Sequence, residues 1–394
     1  MASIPLVLHT EPYYKAFREG RLRWGVPHPP VATDRFMVVK ADFRSRHAHL
    51  LLPEDQQESD NIAFAHPLVL PRHGAPFHRA VIILHGLNES EYRKFFPWAC
   101  TLASAGLPVI LFPITFLVNR RPRMWRGKAK TQQCLRARQS IPGNTVATRF
   151  NTVLSERLDR HPERLFLGGR QSYCDLLDLA ASLYNGTLTV DGPADGALVP
   201  RQPFGEGTGV DFLAYSIGGY LTLGLLLEQG DNPHLANSRA VIFCAAAPIT
   251  HNDPALNTNP LSPFILDGRA TEHLGGFYRS ADAEPLLANP EGRWCRAIFR
   301  AEHAVLGPRL RNIRSRVLTI GNTADMVVPA AGMEVTLGPL DHILTLGAHE
   351  YPFSVADVWQ SGVTRRIAKS YNIHPAYEAG FREFMQAVIE FVGR

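Results

Sequence analysis

One serine stands between a buried strand and an apolar helix in the stretch GVDFLAYSIGGYLTLGLLL, residues 209–227. The apolar run Val210 to Tyr215 leads directly into Ser216, which two small residues of the following turn separate from the helix. A strand that turns sharply into a helix lifts such a serine clear of the sheet and places it at a helix N-terminus. Its exposed hydroxyl can act there as a nucleophile. Ala214 replaces the first glycine of the usual G-x-S-x-G pattern, which is the mildest departure. Many strand–turn–helix units contain a serine, so the rest of the chain must decide.

A serine is a poor nucleophile at neutral pH and needs a histidine base, which in turn needs an acid to orient it. In one of the known triad arrangements, these groups follow a serine at a strand-to-helix turn in the order Asp, His, each after a strand, and this is the order to look for here. The strand RVLTI is followed by GNTADMVVP, so Asp325 is the predicted acid. Asp282 and Asp341 are weaker rivals, and Asp341 begins the last strand, at the wrong end of the sheet.

The predicted base is His349, in the stretch DHILTLGAHEYPFS. The chain has 16 histidines, so only position can discriminate among them. His349 comes just beyond the end of the last strand, whereas His342 begins that strand and His374 abuts a proline before the closing helix.

Acyl transfer also needs two backbone N–H groups where negative charge develops on the substrate. The residue after the nucleophile, Ile217, is one predicted donor. The run RAVIILHG ends in His-Gly, and the next residue, Leu87, is the predicted second donor, with Asn88 as the alternative. Asn88, Tyr215 and Trp125 are also predicted to contact substrate.

Continuous apolar runs at 79–86, 107–113, 210–215, 239–247 and 316–320 indicate strands buried on both faces, as in a parallel sheet.

Residues 1–75 are predicted to be an N-terminal extension whose leading strands form the edge of that sheet, and residues 76–394 are predicted to be the main domain. Insertions are expected at about 114–205 and 248–314, forming a lid over an apolar pocket. The basic stretch 119–130 is interpreted as a solvated loop, in preference to an anion-binding patch. Helices are expected at 90–105, 145–160, 172–184, 293–304 and 375–392, with 185–205 a loop.

Taken together, the stretches HG (85–86), AYSIGG (214–219), GNTADMVVP (321–329) and GAHEYP (347–352) resemble the α/β-hydrolase superfamily. The stretch HGLNE and the residues after it look like an uncharacterised bacterial branch of that superfamily. The resemblance implies an α/β-hydrolase fold, a mostly parallel, doubly wound sheet with helices and loops inserted as a lid. It also implies the triad roles for Ser216, Asp325 and His349.

The 394 residues are 45% hydrophobic and 20% charged, with a formal net charge of +5, which indicates a globular chain. No Lys/Arg block with interleaved aromatic residues suggests nucleic-acid binding, and no apolar run approaches the about 20 residues of a membrane span. The five cysteines are scattered and lack metal-ligand spacing, so they are expected to be reduced thiols of a cytoplasmic protein. No secretory signal is recognised in the first 20 residues.

These features predict a serine hydrolase that cleaves a small-molecule carboxylic ester or thioester through an acyl-enzyme, with no metal or organic cofactor. An acyltransferase or thioesterase of a biosynthetic pathway would use the same triad. A ligand-binding protein on an inactive hydrolase fold is the alternative of another class, although such proteins usually lose the serine or the histidine. Haloalkane or epoxide chemistry would need an aspartate at position 216 and is disfavoured.

Overall fold

The computed structural model describes residues 35–92, 95–125, 127–191, 201–229, 232–249, 265–323, 325, 327–345 and 376–392. Residues 376–379, Gln229 and three short strands before residue 33 are described by their backbone only. Most of the chain from residue 35 to residue 345 can therefore be examined, whereas His349 and residues 250–264 lie outside the described residues.

The described strands are, in chain order, β1 (Leu22–Arg23), β2 (Val26–Pro27), β3 (Val31–Ala32), β4 (Phe36–Arg44), β5 (Ala63–Pro71), β6 (Phe77–Leu84), β7 (Val109–Phe112), β8 (Phe204–Tyr215), β9 (Ala240–Phe243), β10 (Val317–Asn322) and β11 (His342–Leu344). The described α-helices are α1 (Ser59–Ile62), α2 (Phe96–Ser104), α3 (Lys128–Gln139), α4 (Thr152–Arg160), α5 (Arg164–Tyr184), α6 (Ile217–Gln229), α7 (Gly268–Arg279), α8 (Pro290–Arg300), α9 (His303–Ile313), α10 (Ala330–Leu337) and α11 (Ala376–Val392).

Nine of these strands form one sheet in the order β11-β10-β9-β8-β6-β7-β5-β4-β3. The six strands from β11 to β7 are mutually parallel, whereas β5, β4 and β3 are each antiparallel to their neighbours. The apolar runs of the parallel strands are buried because helices cover both faces, which is the reason that their sequences do not alternate.

Successive residues of the central strand β6 serve two separate cores. Ile82 and Leu84 pack into the core on the face that carries α5, α6 and α8. Val81 and Ile83 pack into the core on the other face, which is covered by α2 and α11. This mostly parallel sheet with helices on both faces confirms the predicted α/β class, and the arrangement is that of the α/β-hydrolase fold.

The first predicted insertion contains α3, α4 and α5, and the second contains α7, α8 and α9. A buried arginine joins them, because Arg138 of α3 donates to both carboxylate oxygens of Asp267, at 2.7 and 2.6 Å. Arg138 also pairs with Asp159 at the end of α4. Arg138 and Asp267 are 1% and 0% exposed, so this cluster links the two insertions through their interior.

The prediction that the basic stretch 119–130 is a solvated loop is wrong for Arg120. Its side chain is fully buried and pairs at 2.9 Å with Asp175 of α5, which is also fully buried. Its Nε donates to Asn61 at 3.0 Å. The partners come from distant parts of the sequence, so local composition gave no sign of them, whereas Arg123 is 78% exposed as expected of a loop.

Two expected helices are shorter than the sequence pattern suggests. The helix expected at 90–105 begins only at Phe96, because Pro97 is suited to the first helical turn but not to a helix interior. The helix expected at 145–160 begins at Thr152, and Val146 and Phe150, whose spacing would put them on the apolar face of the longer helix, are exposed. Asn151 explains the late start, because its side chain bonds to the backbone of residues 146 and 148 and so competes with helix formation.

Two other helices begin earlier in the chain than expected. The helix expected at 172–184 begins already at Arg164 and packs along β8. The helix expected at 293–304 spans Pro290–Arg300, and it ends because Ala301 adopts the left-handed conformation with φ +50°. None of the described helices is long and apolar enough to cross a membrane.

Candidate active site

Ser216 lies at the junction of β8 and α6, in a backbone conformation that residues other than glycine seldom adopt. Its φ is +53°, in the left-handed region. Its N–H donates to the carbonyl of Phe243 at 3.1 Å, and its own carbonyl accepts from Gly219 N–H at 2.8 Å. The turn is therefore held from the neighbouring strand and from the helix that it begins, as in the strained strand-to-helix turn that presents a nucleophilic serine.

The two glycines after the serine are required by close packing rather than by their own torsion angles. A Cβ at Gly218 would lie 2.7 Å from Leu84 Cβ and 2.8 Å from the Leu84 carbonyl oxygen. A Cβ at Gly219 would lie 2.3 Å from Ala245 Cβ. The start of α6 thus fits between the ends of two parallel strands only because these positions lack side chains.

Because the six strands from β11 to β7 are parallel, their carboxyl ends lie at one edge of the sheet. The serine turn, the loop after β6 and the loop after β10 therefore share that edge, as does residue 345 at the start of the segment that contains His349. The aligned pairs are Leu84 with Ala214, Tyr215 with Phe243, and Asn322 with Leu344.

Asp325 lies three residues beyond β10 and is 4% exposed. One of its carboxylate oxygens accepts from the N–H groups of Val327 at 2.7 Å and Val328 at 2.9 Å, which fixes the side chain. The carboxylate also acts on α6: burial first, and the negative charge of Asp325 second, raise the pKa of the Tyr220 hydroxyl well above its usual value. Asp325 is thus electrostatically close to the helix that begins at the serine turn.

The rival aspartates have structural partners elsewhere. Asp341 accepts two hydrogen bonds from Arg314 and two from Thr319, which ties β11 to the start of β10. Asp282 lies in an exposed turn, where it accepts from the Ser280 hydroxyl at 3.3 Å. Asp325 therefore stays the predicted acid. The predicted base His349 and its rival His374 lie outside the described residues, and His342 is exposed on β11.

The two predicted oxyanion donors, Leu87 and Ile217, line the same cleft. The loop that carries Leu87 begins with His85, whose Nε2 accepts from Ile114 N–H at 3.0 Å. The other ring nitrogen lies 2.9 Å from the Gly86 carbonyl and must donate to it, which defines a neutral, structural histidine. His85 thereby fixes the direction in which this loop leaves the sheet.

The cleft encloses about 1030 Å³ of empty space, counting the part open to solvent. Leu87 and helix α6 contribute to its walls, and the two insertions supply the remainder through the loop after β7 and through α4, α5 and α8. Of the bulky residues that the two insertions carry, Phe116, Leu117 and Phe299 line the cleft. Trp125, Trp294 and Phe277 do not, and Phe264 lies outside the described residues.

Three predicted substrate contacts have other contacts in the structure. Tyr215 is 4% exposed and packs its ring against Phe95, Trp98 and Phe243, in the core on the face of the sheet away from the cleft. The Asn88 side chain donates to the carbonyl of Phe150 at 2.7 Å. The Trp125 ring does not line the cleft but lies 3.7 Å beneath the guanidinium carbon of a residue that does, Arg157.

The sequence analysis missed the charged groups of the cleft. Arg157, Arg164, Arg170 and Glu291 all line it. A signal existed for Arg157, which follows Val153 and Leu154 at helical spacing and so occupies the apolar face of a predicted helix. Among the residues that the structure describes, no cluster of three or more histidine, cysteine or acidic side chains could hold a metal ion.

The fold and the strained serine turn define a class of protein: an α/β-hydrolase fold with a serine at the strand-to-helix junction and a buried aspartate after a later strand. Residues 38–379 match the family described as "Family of unknown function (DUF6051)", and the chain belongs to that family. A search of curated proteins finds no match.

Among solved structures, the chain is similar to a brefeldin A esterase described as a bacterial homologue of human hormone sensitive lipase, with 14% identity over 100% of this chain and 88% of that one, TM-score 0.44. Carboxyl esterase 2 of the mycorrhizal fungus Tuber melanosporum gives 10% identity over 98% and 99%, TM-score 0.45. Acetyl xylan esterase 1 of Thermoanaerobacterium sp. JW/SL YS485 gives 14% over 78% of each chain, TM-score 0.39. Because these TM-scores are below 0.5, nothing about activity follows from them.

Proposed function

We propose that this protein is a serine hydrolase that cleaves a carboxylic ester or thioester through an acyl-enzyme. The observation that carries the proposal is the serine turn: Ser216 has a φ of +53° at the carboxyl edge of the sheet, and the next residue lines a largely apolar cleft. A strained serine beside a cleft is the arrangement from which an activated hydroxyl attacks a bound carbonyl.

In the proposed mechanism, His349 takes the Ser216 proton as the oxygen attacks the carbonyl carbon, and Asp325 stabilises the imidazolium that forms. The backbone N–H groups of Ile217 and Leu87 hold the negative oxygen of the tetrahedral intermediate. His349 then protonates the leaving alcohol or thiol, and a water molecule repeats the sequence on the acyl-enzyme. The role of His349 rests on its position in the sequence, since it lies outside the described residues.

Labelling with a fluorophosphonate probe tests the nucleophile directly. Wild type is expected to be labelled and Ser216→Ala is not, because the probe bonds covalently only to an activated serine oxygen. Ser182→Ala is the matched control, since Ser182 lies on α5, away from the serine turn, with its hydroxyl 3.3 Å from Thr187. Absence of label on wild type would refute the proposal, and label that persists on Ser216→Ala would place the nucleophile elsewhere.

A pair of histidine variants tests the base. His349→Gln is expected to lose ester hydrolysis, whereas His342→Gln, an exposed position on β11, is expected to keep it. The opposite result would reassign the base to another histidine.

A further inference from the structure

The cleft is largely apolar, but one part of its wall carries two arginines with a single buried counter-ion. Arg157 and Arg164 both line the cleft and both pair with Asp55, which is 3% exposed. Arg164 has a second partner in Glu54, which is half exposed. Asp55 is thus the one fully buried carboxylate that these two arginines share among the described residues, whereas Glu54 and the partly buried Glu58 act on them from nearer the surface.

Arg157 is held in place and yet has unused donors. Its Nη2 lies 3.1 Å from both oxygens of Asp55, and its guanidinium carbon lies 3.7 Å from the centre of the Trp125 ring and 4.9 Å from that of Phe116. Its side chain is 15% exposed. Among the described residues, its Nε and Nη1 have no hydrogen-bond partner, so an N–H group on each side of Nη2 is available to a ligand.

The carboxylates near Arg157 do not fully offset the cost of burying its positive charge. Burial, the largest effect, and the nearby charge of Arg164 together outweigh the attraction of Asp55 and Glu58, so the pKa of the Arg157 guanidinium falls to about 10. The group remains protonated at neutral pH. A buried cation with unused donors is stabilised by any anion that enters the cleft, because such an anion supplies both charge and acceptors.

We propose that Arg157 binds a carboxylate at the far end of an apolar acyl chain, so that the preferred substrates are esters of dicarboxylic acids with one free carboxylate. This inference rests on the proposed ester hydrolysis. The unpaired Nε–H and Nη1–H groups can each donate a charge-assisted hydrogen bond to a carboxylate oxygen, and the stacked aromatic rings hold the guanidinium in one orientation. Phe116, Leu117 and Leu154 supply apolar wall for the chain that joins the carboxylate to the reacting carbonyl.

Two esters of equal chain length test the inference: p-nitrophenyl hexanoate and the mono-p-nitrophenyl ester of adipic acid, whose far end is a carboxylate. For wild type, kcat/KM is expected to be at least about tenfold higher for the adipate ester. Arg157→Met keeps much of the side-chain volume and removes the charge, and is expected to lower the adipate-to-hexanoate ratio at least about tenfold. Arg157→Lys keeps the charge without the fork and is expected to give an intermediate ratio.

The matched control is Arg160→Met, on the same helix, since Arg160 is 67% exposed and pairs with Glu156 rather than lining the cleft. It is expected to leave the ratio unchanged. A wild type that hydrolyses hexanoate at least as well as adipate overturns the inference while the proposed hydrolase activity stands. If Arg157→Met does not fold, Arg157→Lys decides, and an unchanged ratio in either folded variant also overturns it. If wild type neither hydrolyses an ester nor reacts with fluorophosphonate, both proposals fail.

Discussion

The side-chain amide of Asn88 donates a hydrogen bond of 2.7 Å to the main-chain carbonyl of Phe150. This bond joins the loop after β6, which carries the predicted oxyanion donor Leu87, to the segment before α4 in the first insertion. The same loop is held a second time, because Val118 N–H donates to the Glu89 carbonyl at 3.0 Å. The insertion thus supports the conformation of the loop on which the proposed chemistry depends.

Asn88→Ala is expected to lower kcat for ester hydrolysis by about tenfold, with a smaller effect on KM. Complete loss of one oxyanion donor lowers kcat by about 10²–10³-fold, and a donor that is only misplaced is expected to lower it less. Phe150→Ala is the control, since Phe150 is 79% exposed and its carbonyl acceptor remains. Steady-state kinetics with a p-nitrophenyl ester measure both variants. Equal kcat values for Asn88→Ala and wild type would show that the bond does not position Leu87.

Gly219→Ala is expected to destabilise the serine turn, because the new Cβ would lie 2.3 Å from Ala245 Cβ. Overpacking of this kind costs about 1–3 kcal/mol of the free energy of unfolding. Adding Ala245→Gly removes the clashing atom and is expected to restore most of the stability and the fluorophosphonate labelling. Gly224→Ala, on the same helix, meets nothing within 4 Å and is expected to be neutral or slightly stabilising. Thermal unfolding of wild type and the three variants decides, and failure of the double variant to recover would refute the packing explanation.

Asp325→Asn separates the charge of this side chain from its hydrogen bonds. An asparagine oxygen can still accept from Val327 and Val328, so the folded structure is expected to be kept. The imidazolium loses its stabilising charge, and kcat is expected to fall by about 10³–10⁴. Asp282→Asn, in an exposed turn, is expected to leave kcat unchanged. Activity of Asp325→Asn close to that of wild type would remove Asp325 from the proposed triad.

Arg138→Met tests the buried link between the insertions. It would leave Asp267 buried without its cation, which is expected to lower the free energy of unfolding by about 3–5 kcal/mol. Arg138→Met combined with Asp267→Asn removes both charges, and the amide oxygen can still accept from Ala270 N–H, as Asp267 does at 3.0 Å. The double variant is therefore expected to be more stable than the single one by urea unfolding, and the reverse order would contradict this account.

His66 makes stability depend on acid pH. It is fully buried between Phe43 and Phe112, and neither ring nitrogen has a hydrogen-bond partner among the described residues. Burial lowers the pKa of its imidazole from 6.5 to about 3. Below about pH 6.5 the unfolded chain therefore binds a proton that the folded chain does not, and the free energy of unfolding decreases as pH falls towards 3, by about 1.4 kcal/mol per pH unit.

His66→Leu is expected to lessen that decrease, which urea unfolding at a series of pH values between 6.5 and 4 would measure. His49→Gln, at an exposed position, is the control and is expected to retain the wild-type pH dependence. Parallel curves for His66→Leu and wild type would show that another group causes the acid sensitivity.

The sheet could be predicted from the sequence because each parallel strand is a continuous apolar run, and their order put Ser216 and Asp325 at one edge. The helix starts could not be predicted from periodicity alone, since the side chain of Asn151 competes for the backbone that Val146 and Phe150 would need in a helix. The burial of Arg120 could not be predicted either. Its partner Asp175 is 55 positions away in the sequence, and only the fold brings the two together.

The shared ion cluster at Arg138 also determines how the two insertions can be exchanged between relatives. A chimaera that received residues 114–205 alone would import a buried guanidinium without the carboxylate that matches it, and one that received residues 248–314 alone would import Asp267 without its arginine. The two segments lie more than forty residues apart along the chain. They are nevertheless joined by this buried ion pair. A chimaera that replaces one segment therefore needs a matching residue at position 138 or 267 of the other segment.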